Sequence, residues 1–135
     1  MGNRAVVAIQ GNDVGVYLHW NGGAESVLAF LEVCKRRGYR TPASDDFYSL
    51  ARFIGVCHEF FDGGLSLGVG PLSQCDTDNG DNGLYILGPG WEIATRTYQG
   101  PKTVEELDGT EHKKFVQIVE DLLARAPHLI DAQPE

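Results

Sequence analysis

The sequence predicts an α+β fold: a small, mainly antiparallel sheet packed by three helices in the order ββααβββα. Three observations predict it. Short apolar runs bounded by Gly, Asn and Asp turns open the chain and return after residue 66. Three longer segments carry apolar residues at helical spacing. Hairpins and helices are segregated along the chain and do not alternate as in a parallel βαβ array.

The elements follow in order. Arg4 to Gln10 reads as a strand in which Ala5, Val7 and Ile9 alternate with Val6 and Ala8. Gly11-Asn12-Asp13 signals a turn, and Gly15 to Trp20 completes a β-hairpin ended by Asn21-Gly22-Gly23. A helix is expected from Ala24 to Arg37, with Val27, Phe30, Leu31 and Cys34 on one face. Lys35, Arg36 and Arg37 fall in its last turn, where cations suit the helix dipole, and Gly38 suits the position after its end.

Thr41-Pro42 breaks the chain, and Ser44 or Asp45 caps a second helix running to about Phe61. Leu65 to Val69 is a candidate short strand. Leu84 to Leu87 and Trp91 to Tyr98 form strands around a turn at Gly88-Pro89-Gly90. Thr103-Val104-Glu105-Glu106 has capping-box spacing for a helix of about one turn. Thr110 is the expected cap of the last helix, whose stripe is Phe115, Ile118, Val119, Leu122, Leu123 and Ala126, with Pro127 ending it. Residues 1–128 are expected to form one globular domain and 129–135 a loose tail.

The chain has 135 residues, with 42% hydrophobic and 22% charged, which fits a globular domain with a real core. No apolar run reaches the ~18 residues of a membrane span, and no signal-peptide pattern is visible. Three cysteines, Cys34, Cys57 and Cys75, are too few and too scattered for a disulfide framework. A reduced, cytoplasmic setting is expected. The net charge is -8, and no Lys or Arg occurs between Arg52 and Arg96, whereas that stretch holds Glu59, Asp62, Asp76, Asp78, Asp81 and Glu92. Such a protein repels nucleic acid and attracts basic surfaces.

The strand-to-helix passage Asn21-Gly22-Gly23-Ala24-Glu25-Ser26 places glycine amides beside a helix N-terminus, a ready place for an anion. It resembles the PP-loop of ATP pyrophosphatases, which implies phosphate contacts from Asn21, Gly22, Gly23 and Ser26. Asn21 stands where that family has Ser, and Glu25 where it has Asp. The pattern after Tyr39 lacks the further β-α units that family needs.

Asp76-Thr77-Asp78-Asn79-Gly80-Asp81-Asn82-Gly83 has carboxylates at calcium-loop spacing but departs from the EF-hand. With Asp76 first, Gly80 falls at position 5, Asp81 at 6 and Leu87 at 12. An irregular calcium-stabilised loop and an exposed acidic turn are the two readings. His19, Cys57, His58 and Cys75 match no compact zinc spacing, so neither a metal nor a cofactor is expected. Trp20 and Trp91, if exposed, are anchors for a partner protein, and if buried are core.

The segments Gly2-Asn3-Arg4-Ala5-Val6 and Val16-Tyr17-Leu18-His19-Trp20-Asn21-Gly22-Gly23, with the Asp78–Gly83 loop, resemble a group of small acidic proteins of phages and mobile elements. The resemblance implies a setting in which compact acidic proteins block host defence complexes. The leading expectation is therefore a non-enzymatic binding protein that engages a basic, nucleic-acid-binding surface of another protein. Asp76, Asp78, Asp81, Glu59, Asp62 and Trp20 are its expected contacts. Direct nucleic-acid or membrane binding is not expected, and a homodimer through an exposed aromatic face is an open option.

Overall fold

A computed structural model describes residues 3–61 and 66–126. Asp62, Pro127 and the expected tail lie outside the described residues. The elements are β1 (Ala5–Ile9), β2 (Val14–Leu18), α1 (Ala24–Arg36), α2 (Asp46–Phe60), β3 (Leu67–Pro71), β4 (Leu84–Leu87), β5 (Ile93–Arg96) and α3 (Gly109–Arg125). This is the expected α+β order. Single 3-10 turns at Leu72–Gln74 and Val104–Glu106 punctuate the loops, and Thr103 caps the second with its capping box in place.

The five strands form one sheet in the order β3-β2-β1-β4-β5. Three of its four pairings are antiparallel; β1 and β4 run parallel. Every residue of β1 is buried, as befits a central strand covered on both faces. Ala5, Val7 and Ile9 join Val16, Leu18, Tyr85 and Leu87 under the helices. Val6 and Ala8 lie on the opposite face, which the β3–β4 crossover covers. A Cβ at Gly15 would stand 2.7 Å from Cys75 Sγ and 3.2 Å from Leu72 Cδ1. Glycine lets the crossover sit directly on β2.

The helices pack by their apolar stripes, with Phe30 of α1 meeting Phe53 and Phe60 of α2 edge-on or tilted. α1 ends one residue earlier than expected. Gly38 at φ 73° follows it, with Gly38 N–H on Lys35 O and Tyr39 N–H on Cys34 O, a Schellman stop. Arg37 is not a surface cation. It is fully buried, and its guanidinium donates to both Glu59 oxygens at 2.9 and 3.0 Å and to Leu122 O at 3.0 Å.

Asp45 caps α2 by accepting from Tyr48 N–H. α3 is capped by Asp108, not Thr110, because Asp108 and Glu111 form a reciprocal capping box two residues earlier. β3 lies two residues beyond its expected start. β5 is shorter than expected: Trp91 adopts φ 64° and the ladder slips between Ile86 and Leu87. Trp91 is core, its indole N–H donating to Tyr39 O at 3.2 Å.

Candidate functional site

One end of the sheet gathers most of the chemistry. β1 begins there, β2 ends there, β4 begins and β5 ends there. Asn3, Arg4, Trp20, Asn21, Tyr98 and the Asp76–Gly83 loop therefore share a neighbourhood that the linear sequence scatters.

The loop is built around Asn79, which is 2% exposed. Its Oδ1 accepts from the N–H groups of Asp81, Asn82 and Gly83 at 3.1, 3.1 and 2.9 Å. Its Nδ2 donates to Asp76 O at 3.0 Å and Gly83 O at 3.2 Å. Gly80 and Gly83 take positive φ around it. The amide of one buried side chain thus replaces the backbone bonds that a strand or helix would supply.

Hydrogen bonds on both flanks tie the loop to the sheet. Arg4 donates from its backbone N–H and from Nε to Asp81 Oδ2, at 3.0 and 2.9 Å. Those hydrogen bonds hold the Asp81 carboxyl below its usual range and raise the Arg4 pKa. Asn82 donates to Arg4 O and to the Asn3 side chain. On the other flank, Tyr98 O–H donates to Asp78 Oδ1 at 2.6 Å and accepts from Gly80 N–H at 3.0 Å. The bond to Asp78 raises the Tyr98 pKa.

The candidate carboxylates divide accordingly. Asp76 and Asp78 are exposed, the latter steadied by Tyr98. Asp81 is committed to Arg4, with 19% of its side chain exposed. Glu59 lies elsewhere and is committed to Arg37. Burial works to lower the Arg37 pKa, and the Glu59 hydrogen bonds and charge more than offset it. Asp81 and Glu59 each pair with an arginine of the chain itself, whereas Asp76 and Asp78 face outward without such a pairing.

The calcium reading meets the same obstacle. Asn79 Oδ1 is occupied by three N–H donors and Asp81 by a guanidinium. Among the described residues no group of three His, Cys, Asp or Glu side chains is placed to hold a metal ion. Cys34 and Cys57 are fully buried, and burial pushes both thiols up, so they are unreactive core residues.

The Asn21–Ser26 passage is a packed turn, not a phosphate cradle. Gly22 N–H donates to Asn3 O at 2.7 Å, and Gly22 O accepts from the buried Tyr85 hydroxyl at 2.7 Å. A Cβ at Gly22 would lie 2.5 Å from Asn3 O and 2.7 Å from Ala5 Cβ. The glycine is required by close approach of β1. Asn21, at φ 58°, donates to Ser26 Oγ, which is itself buried. The Glu25 carboxylate folds back against Gly23, where an incoming anion would sit.

Trp20, next to this turn, is 45% exposed. His19 braces it edge-on, ring centroids 4.9 Å apart, and the Tyr17 hydroxyl pairs with His19 Nδ1 at 2.7 Å. Trp20 borders an open cavity of about 330 Å³ that Asn3, Glu25, Lys114 and Gln117 also line. Asn3 joins the cavity to the acidic loop.

Sequence reading missed Asn79, Arg4 and Tyr98. The Asn-Gly pairs signalled turns, but nothing local separates Asn79, the buried hub, from Asn82. Comparison with protein-family models, curated proteins and solved structures gives no match for this chain.

Proposed function

We propose that this protein is a non-enzymatic binding module whose Asp76–Gly83 loop and Trp20 dock on a basic surface of another protein. The observation that carries the reading is the Asn79 hub. It presents Asp76 and Asp78 outward in one conformation, on the sheet end that also exposes Trp20. Pre-ordered carboxylates lose little entropy on docking, and an exposed aromatic supplies a desolvating anchor. The net charge of -8 steers the encounter. Surfaces rich in Lys and Arg are those that neutralise nucleic-acid phosphates, so such a face is the partner we infer. The resemblance to phage and mobile-element proteins suggests a host defence complex as its owner.

The test is binding to an immobilised lysine- and arginine-rich probe protein across a salt series. Asp76→Lys with Asp78→Lys should weaken binding by about tenfold or more at low salt and flatten the salt dependence. Glu105→Lys with Glu120→Lys makes the same charge change on other exposed positions and should cost far less. Equal losses in the two double variants would reduce the effect to net charge and sink the reading.

A further inference from the structure

β3 is the outer strand of the sheet, and no described strand pairs with its free edge. Its sequence, Leu67-Gly68-Val69-Gly70-Pro71, carries no charge. Outer strands ordinarily carry Lys, inward charges or bulges that discourage pairing. Here the only such device is Pro71 at the strand's end.

The ladder fixes which groups face outward. His19 N–H donates to Ser66 O and Leu72 N–H to Asp13 O, and Tyr17 lies opposite Gly68 and Gly15 opposite Gly70. In an antiparallel ladder these alternate pairs exchange the hydrogen bonds. Gly68 and Gly70 therefore turn their backbone groups toward β2. Leu67 and Val69 turn theirs to the open edge, and the Val69 side chain is 57% exposed.

The glycines leave a second mark. They lie on the sheet face crossed by the β3–β4 connection, and a Cβ at Gly70 would meet nothing within 4 Å. The result is an open recess of about 480 Å³ bordered by Arg4, Tyr17, Gly68, Gly70, Gln74 and Asp76. Asp81 hydrogen-bonds Arg4, and exposed Asp76 beside it leaves the recess with one negative charge in excess. The Tyr17 ring supplies a wall for an aliphatic stem or a cation.

We infer that the β3 edge takes an extended, basic segment of the partner as an added strand. Leu67 and Val69 supply the backbone bonds, and one Lys or Arg side chain lies across the glycine floor to Asp76. Strand addition of this kind draws affinity from main-chain bonds and specificity from pockets for alternate side chains. A second copy of this chain fits the edge less well, because each copy carries -8. The inference rests on the proposed function and names the form of the partner.

The experiment is amide NMR of the full chain titrated with two blocked hexapeptides, one alternating Val and Lys, the other Val and Glu. The Val-Lys peptide should shift Leu67, Val69 and Asp76, and the Val-Glu peptide should not. Val69→Pro removes only an outward N–H, and Gly70→Val fills the recess where space exists. Each should keep the parent spectrum elsewhere and weaken Val-Lys binding at least fivefold. Shifts confined to Asp76, Asp78 and Trp20 would overturn the strand addition and leave the acidic docking reading standing. No shift anywhere would overturn both. A dimer that Val69→Pro dissociates would overturn the choice of occupant.

Discussion

Asn21–Ser26 and Asp76–Gly83 both combine asparagine, glycine and carboxylates, and the fold uses them in opposite ways. In the first, backbone groups turn inward: Gly22 bonds Asn3 just ahead of β1 and the buried Tyr85, and the Glu25 carboxylate lies against Gly23. In the second, backbone N–H groups converge on one buried side chain, and the carboxylates of Asp76 and Asp78 are left outside. Glycine and asparagine mark both places as turns. The destination of the backbone donors decides which turn is packing and which is surface.

The contrast breaks most sharply at Gly22. Gly22→Val drives a side chain into Asn3 O and the Ala5 backbone. It should cost about 3 kcal/mol or more, read as a fall in Tm of about 6–12 °C, with or without phosphate present. A variant of parental stability would show an open loop. Asn79→Ala comes next. It strips the Asn79 acceptor from three N–H groups, of which Asn82 keeps Arg4 O, and should cost about 2–3 kcal/mol in chemical denaturation. It should also weaken the basic probe, whereas Gly22→Ala variants that still fold should bind normally.

Tyr98→Phe removes two exposed hydrogen bonds, the one to Asp78 and the one from Gly80 N–H, and should cost about 1 kcal/mol in stability. Its larger effect should be on probe affinity, since Asp78 loses its brace. The acid limb of stability is the smallest effect. The Asp81 pKa is lowered in the folded state, so its contribution is present above the ordinary carboxylate range and is lost as pH falls through the lowered value. Denaturation midpoints at about pH 6 and pH 3 should converge more closely in Asp81→Asn than in the parent. An identical acid loss in both would place the stabilising link elsewhere.

How much was legible follows from range. The β1–β2 hairpin, the α1 stripe and the Gly38 stop are local patterns and hold, although β2 runs Val14–Leu18 and ends before Trp20. The parallel β1–β4 pairing joins residues more than seventy positions apart and leaves no period. Its one trace is the unbroken apolar run Ala5–Ile9, which marks a strand buried on both faces and which a period of two does not distinguish. At the end of the chain, Thr110 and Asp108 are both good caps, and Glu111 decides for Asp108. The site divides the same way. Asp76 and Asp78 stand exposed, as an acidic turn suggests, and Trp20, which the sequence leaves open between anchor and core, is exposed as well. Asp81 and Glu59 were absorbed by Arg4 and Arg37 across 77 and 22 positions, which charge counting does not see.

The crossover that carries Asp76 to Gly83 also seals Val6 and Ala8. An acidic, glycine-rich stretch would ordinarily be the first place a protease cuts. Here the N–H groups of Asp81, Asn82 and Gly83 all bond the buried Asn79 Oδ1, so their amide protons should exchange with solvent far more slowly than those of an unstructured loop.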